Sequence, residues 1–405
     1  MRIKQLTEIN NDNVLRVFEK DSNNREINIY SLDNVMITGE SLHYPNTLVH
    51  QVTDDVLYNP INEKTMSLKE VVTNDDFNIT VKQQTKTEEQ SVFFFIYNMD
   101  NYFHFVYDSL PYLISFNKIK INKPEIKLLM NYPVGKEHFY KFVTEFLSIL
   151  GITHDDIIIA NENTLYKEIL ISTSYTHDFD SNLPPRNEIY EFYQEIVDKV
   201  NIDTKDLPKK IYVSRRSWLH GDVSNIGTNY TNRRKLVNED DLVDFLVSKG
   251  YEEIFTETFT TEQKIALFKN AESVVGSIGG GVCNVLFSNP KCKLTTLVSP
   301  YFLDVNKRFI YSLNNVDLKL FNDAKNTETT YFKKYMRVKY GEIIGEIIEI
   351  DGDDITITYS DTRLSGWNSE NKYKTMTLKS QDCVRLDEGL NSSWKINLEE
   401  FKKIL

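Results

Sequence analysis

Cysteine, proline, glycine and long apolar runs are all scarce in this chain. Only three cysteines occur in 405 residues, Cys283, Cys292 and Cys383. An odd, sparse set builds no disulfide framework and suits a reducing compartment. The seven histidines are scattered, and no cysteine–histidine grouping has zinc-site spacing. With 10 prolines and 15 glycines, the chain falls well below average usage, which excludes collagen-like and linker-dominated architectures. No stretch approaches the roughly 18 consecutive apolar residues of a membrane span. The amino terminus, MRIKQLTEINNDNV, lacks the apolar core of a signal peptide. The expected location is therefore the cytoplasm, with no transmembrane segment. Positive charge is also in deficit, 47 Lys and Arg against 59 Asp and Glu, for a net −12. A broad nucleic-acid-binding surface is excluded on that balance, because phosphate contacts need a basic face. A local basic pocket is not excluded.

The remaining composition, 40% hydrophobic and 26% charged, is that of an ordinary globular protein long enough for two or three domains. There is no internal repeat. Residues 1–90 read as short strands and loops: NIYSL, DNVMI, TLVHQV and FNITVKQ alternate with period two. Residues 91–205 change to α/β character. SVFFFIYNM is a strand-length apolar run, and NYFHFVYDSLPYLISF has helical spacing with Pro111 as a break or first-turn residue. EIKLLMNY is a strand, KEHFYKFVTEFLSILG an amphipathic helix closed by Gly151, DIIIA and KEILIST strands, and 187–200 another helix.

Residues 206–332 alternate strand and helix most clearly. KKIYVSRR is followed by the helix NEDDLVDFLVSKG, with Asn238 at its N-cap and Gly250 past its end. YEEIFT, the capped helix TTEQKIALFKNA (Thr260 to Gln263), ESVVGS, a glycine run and KLTTLVS complete an open parallel α/β sheet. Residues 333–405 read as a small β-rich module, SH3-like, with a turn at Asp351-Gly352 and a terminal helix. This module is a candidate surface for homo-oligomer formation. The domain expectation is thus 1–205 (1–90 β-rich, 91–205 α/β), 206–332 and 333–405.

In an open parallel sheet, ligands bind beyond the carboxyl ends of the strands. Arg215 and Arg216 follow the first strand of the second α/β segment, Arg234 lies ahead of its first helix, and Gly279-Gly280-Gly281 follows its third strand. Unpaired loop amides at a helix start suit phosphate, and guanidinium groups add charge-assisted bonds. The run GSIGGG is neither the dinucleotide fingerprint G-x-G-x-x-G nor a P-loop. A second cluster is Tyr102, His104 and Asp108. The histidine and aspartate are four apart, close enough on a helix to hydrogen-bond. The neighbouring Phe103, Phe105 and Tyr107 read as core. Asp178-Phe179-Asp180 has the form of a metal-binding D-x-D but is short enough to be a chance loop. Ser214 and Ser277 have no nearby histidine in a nucleophile elbow. Cys283 reads as a small buried hydrophobe.

The ordered set NYFHFVYDSLP, KKIYVSRR, NRRKLVNEDDL and TTEQKIALFKNAESVVGSIGGGVCNVLF resembles glycosyltransferase family 61 over about residues 90–310, with most similarity to bacterial and viral capsular-polysaccharide-type members. The resemblance implies a GT-B architecture, two Rossmann-like domains facing a cleft. It also implies inverting, metal-independent transfer from a nucleotide sugar, expected to be UDP-linked, to a hydroxyl of a glycan or glycoconjugate, as in polysaccharide biosynthesis. The family's Tyr-x-His-x-x-x-Asp falls on Tyr102, His104 and Asp108, with Asp108 or His104 as the acceptor base. Its Ser-Arg-Arg falls on Ser214, Arg215 and Arg216, its Arg-x-Leu-x-Asn-Glu on Arg234, Leu236, Asn238 and Glu239, and its Glu-Gln on Glu262 and Gln263. Glu262 is also a rival base, a helix cap or a ribose ligand. The glycine loop falls on Gly276, Ser277, Gly279, Gly280, Gly281 and Asn284. Ile278 stands where the family has histidine, and Gly280 where it has alanine. Two other classes compete. One is an NAD- or SAM-dependent Rossmann enzyme, disfavoured by the glycine spacing; the other is a catalytically degenerate glycan-binding or assembly protein, for which Ile278 is the best support.

Overall fold

The structure is a computed structural model that describes residues 14–16, 26–39, 47–52, 56–60, 64–67, 81–176, 185–216, 236–299, 307–313, 315–322, 332, 334, 336–360, 373–386 and 394–405. It is a mixed α/β protein of two compact units, Met1–Lys199 and Val200–Leu405. Among the described residues no helix is long and apolar enough to cross a membrane.

The first unit is built on one mixed sheet. Its strands are β1 (Val14–Arg16), β2 (Asn28–Thr38), β3 (Leu48–Gln51), β4 (Val56–Asn59), β5 (Lys64–Ser67), β6 (Lys86–Glu88), β7 (Val92–Phe94), β8 (Lys127–Met130), β9 (Ile157–Ile159) and β10 (Thr164–Ser172). The main order is β5-β4-β3-β2-β10-β7-β8-β9. β2 to β5 form an antiparallel meander, while β10, β7, β8 and β9 run parallel. β10 is the seam, antiparallel to β2 on one side and parallel to β7 on the other. The two strands expected in NIYSL and DNVMI are one, β2. Its pairing with β10 skips Asn34, which takes φ +54, together with Lys167 opposite it, and resumes in the same register, so this left-handed residue interrupts the pairing without ending the strand. Of FNITVKQ, residues 77–80 lie outside the described residues and 81–83 form no strand.

The parallel half is wound with helices. β7 is buried throughout, as expected where a parallel sheet is covered on both faces. It leads to a π-helical turn, His104–Ser109, and then to α1 (Tyr112–Asn122). α2 (Lys141–Ile149) joins β8 to β9, and Gly151 follows it at φ +76, a left-handed helix stop that favours glycine. α3 (Glu188–Lys199) buries Ile189, Phe192, Tyr193, Ile196 and Val197 at helical spacing.

The second unit contains a five-stranded, wholly parallel sheet: β11 (Lys210–Val213), β12 (Glu252–Ile254), β13 (Ser273–Ser277), β14 (Lys293–Val298) and β15 (Asp317–Asn322), in the order β12-β11-β13-β14-β15. α4 (Glu239–Ser248) and α5 (Thr261–Asn270) connect β11 to β12 and β12 to β13; α6 (Lys307–Tyr311) precedes β15. The order reverses between β11 and β13, which makes their carboxyl ends the topological switch point. A separate antiparallel sheet, β19-β18-β17-β16-β20, comprises β16 (Arg337–Tyr340), β17 (Ile343–Asp351), β18 (Asp354–Ser360), β19 (Tyr373–Lys379) and β20 (Val384–Arg385). Its own core holds Val338, Ile347, Ile355 and Ile357. The terminal helix α7 (Leu398–Lys402) does not pack there. Trp394, Ile396 and Phe401 join the core of the parallel sheet, beside Leu242, Leu246 and Phe321.

Candidate active site

In the first unit the site grows from the turn after β7. Asn101 accepts the His104 amide at 3.3 Å and starts the helical segment. The turn then widens: the Leu110 N–H returns to the Phe105 carbonyl, five residues back, at 2.7 Å. Pro111 has no N–H to offer the next carbonyl, that of Val106. The buried Tyr193 hydroxyl donates to it instead at 2.7 Å. A π turn thus persists because its orphan acceptor is satisfied from α3. Phe105 and Tyr107 are sealed in the core and Phe103 nearly so, as expected.

This turn sets His104 Nδ1 2.6 Å from Asp108 Oδ2. The carboxylate is 3% exposed and the imidazole 24%. Asp108 therefore fixes the ring through one nitrogen and leaves the other edge open, an arrangement that can orient a general base. Tyr102 packs edge-on against Phe142, 5.4 Å between ring centres.

In the second unit the switch point gathers a different set. Glu239, 2% exposed at the first turn of α4, accepts three hydrogen bonds on Oε1. They come from the Tyr212 hydroxyl at 2.7 Å, the Arg215 amide at 2.8 Å and the Ser214 hydroxyl at 3.2 Å. Its Oε2 is buried without a partner among the described residues. Burial raises the Glu239 pKa, against the pull of these donors and of Arg215 and Arg216. Tyr212, pushed well up by burial and by Glu239, stays a phenol and a donor. A tyrosine inside a buried strand needs such a partner, and that requirement was the available sequence signal for this contact.

Glu239 thereby shapes the main chain that carries Arg215. The Arg215 side chain lies against the glycine loop: a Cβ on Gly279, which holds φ +156, would come within 3.0 Å of Arg215 Nη1. Burial lowers the Arg215 pKa despite Glu239, Glu257 and Tyr212, so the environment favours further negative charge beside it. Among the described residues the N–H groups of Gly279, Gly280 and Gly281 donate to nothing. Ser277, at the end of β13, has a buried hydroxyl with no partner among the described residues. The loop can therefore offer amides, a hydroxyl and a guanidinium to one anion.

The other expected residues are used differently. Arg216 grips Glu253 through both ends of its guanidinium, at 2.9 and 2.6 Å, and also pairs with Asp240. These carboxylates outweigh burial and raise its pKa. Arg216 is an ion-pair residue here. Asn284 is fully buried and holds the loop carbonyls of Gly281 and Gly280 at 2.8 and 3.4 Å. Gln263 closes the capping box with Thr260 at 2.8 and 3.2 Å, and Glu262 is exposed on the same turn. Asn238 occupies the N-cap position but makes no cap bond; it clamps Ile396 with both amide atoms, at 2.9 and 3.1 Å. The helix after the glycine run is a 3₁₀ segment of six residues, Val282–Phe287. Its macrodipole adds little, and the anion-binding character rests on the loop amides. Ile278 is buried and donates its N–H to Leu297 at 3.0 Å. Arg234, Asp178 and Asp180 lie outside the described residues. Among the described residues no group of three or more His, Cys, Asp or Glu is placed to hold a metal ion.

No curated protein matches the chain. Residues 102–295, just under half of its length, match the family described as Glycosyltransferase 61. That span runs from Tyr102, beside the His104–Asp108 pair, through Arg215 and the whole glycine loop, and over it the chain is similar to glycosyltransferase family 61.

Proposed function

We propose that this glycosyltransferase is an inverting, metal-independent enzyme of GT-B type that takes its sugar from a nucleoside-diphosphate donor, UDP-linked, and delivers it to a hydroxyl of a glycan or glycoconjugate. The observation that carries the reading is the guanidinium of Arg215 set against the unused amides of Gly279–Gly281 at the switch point of the parallel sheet. A departing diphosphate needs positive charge and preorganised hydrogen bonds. Arg215, the loop amides and the Ser277 hydroxyl supply them without a metal. His104, oriented by Asp108, removes the acceptor proton through its open ring edge. The acceptor oxygen attacks the anomeric carbon as the bond to the diphosphate breaks. The GT-B assignment is supported by parallel, helix-wound strands in each unit: the β10-β7-β8-β9 half of the mixed sheet in the first and the whole five-stranded sheet in the second.

One observation favours a second reading. Ile278 replaces the histidine the family pattern expects and is buried, so the protein would be a sugar-nucleotide or glycan binder with a silent site. A screen of nucleotide sugars without acceptor separates the two. Release of free nucleoside diphosphate from one donor, undiminished by chelator, is the expected result. Release from none supports the silent site, and strict metal dependence returns attention to Asp178 and Asp180.

A further inference from the structure

The same edge of the first unit carries an aromatic surface that the catalytic reading leaves unused. β7 and β8 are parallel neighbours, so the segments leaving their carboxyl ends emerge side by side. The β7 segment brings Tyr102 and His104; the β8 segment, residues 131–140, brings Tyr132, Phe139 and Tyr140, all half-buried. Tyr140 lies parallel to Phe142, ring centres 5.8 Å apart and planes within 5°, while Tyr102 meets the same ring edge-on. Phe142 is 1% exposed. Phe142 is thus flanked by two half-buried tyrosines, one parallel to it and one steeply inclined, and Tyr132 with Phe139, 4.9 Å apart, extends the aromatic loop.

Resting on the transferase reading, we propose that this surface is an acceptor subsite that stacks a pyranose ring on Tyr140 as its floor, with Tyr102, steeply inclined to it, as a side wall, so that the acceptor is a sugar rather than a protein side chain or a lipid. A pyranose presents a patch of polarised C–H bonds on one face, which complements the negative face of an aromatic ring. Its rim of hydroxyls needs polar neighbours. Three of the four half-buried rings are tyrosines, and Asn131, Lys136, Glu137 and His138 lie in the same loop. A lipid chain would call for aliphatic side chains instead. The subsite begins two residues from His104, which suits presentation of a sugar hydroxyl to the open imidazole edge.

The test is saturation-transfer NMR on the full chain with methyl glycosides of hexoses and N-acetylhexosamines. At least one should bind, with saturation concentrated on the ring protons of one face. Tyr140→Ala should weaken that binding at least fivefold and Tyr140→Phe should keep it. Should Tyr140→Ala fold poorly, Tyr140→Leu, which removes the aromatic face but keeps apolar bulk, carries the same expectation. Unchanged affinity in the folded ring-deletion variant, or binding of a decyl chain but of no methyl glycoside, overturns the proposal. Donor hydrolysis by the wild-type chain tests the transferase reading separately: a chain that stacks glycosides but releases no nucleotide loses that reading and keeps this surface.

Discussion

At the scale of single residues, the proposed base pairs a sealed carboxylate with a half-open imidazole. Asp108 is too buried to meet an acceptor directly, and in the proposed mechanism it acts through the 2.6 Å contact with His104. His104→Ala and Asp108→Asn should each lower kcat by about 10²- to 10⁴-fold while sparing affinity for the nucleoside diphosphate. Full turnover in both variants removes the pair from the mechanism. Asp156 shows the same local logic applied to stability. Burial raises its pKa, but the Lys120 ammonium and the Thr153 hydroxyl and amide more than offset that, leaving it at about 2 against an ordinary 3.8. A carboxylate depressed by folding stabilises the protein above its ordinary pKa, and the contribution fades as pH falls through the folded value. Thermal melts between 3.8 and about 2 should therefore show a flatter acid decline for Asp156→Asn than for the wild type.

At the scale of elements, the widened turn at His104–Ser109 depends on a hydroxyl from another helix. Tyr193→Phe strands the buried Val106 carbonyl and should cost about 1–3 kcal/mol, read by urea denaturation. An unchanged midpoint would mean that the turn does not need this bond. The His104–Asp108 spacing and the Pro111 interruption were legible along the chain, because both are local. The π geometry was not, because its cause lies in Tyr193, 87 residues away. The same division holds in the second unit. Alternating strands and helices, the capping box at Thr260 and the stop at Gly250 are local patterns, and each appears as read. Arg215 and Arg216 look alike in sequence, yet one meets the glycine loop and the other Glu253, because adjacent residues leaving a strand end diverge. Glycine's value was legible only in part. Gly276 and Gly281 serve close packing, since a Cβ would come within 2.7 Å of Val282 and 2.8 Å of Val213 respectively.

At the scale of the whole molecule, the last twelve residues belong to the core of the parallel sheet although the β-rich module precedes them. Trp394 bridges Leu236 and accepts from the Val237 amide at 2.8 Å, while Phe401 meets Phe321 at 5.4 Å. With the Asn238 clamp, this strap holds the start of the helix that bears Glu239. Phe401→Ala should cost about 3–5 kcal/mol, seen as a lower denaturation midpoint with weaker nucleotide binding. A loss confined to the small antiparallel sheet would contradict the strap. The central claim is that Arg215 and the glycine-loop amides hold a diphosphate, and calorimetric titration of UDP into the wild type and Arg215→Ala tests it most directly. Losing a charge-assisted bond of about 1.5–3 kcal/mol predicts at least roughly tenfold weaker binding in the variant; equal affinity in the two proteins would contradict the account.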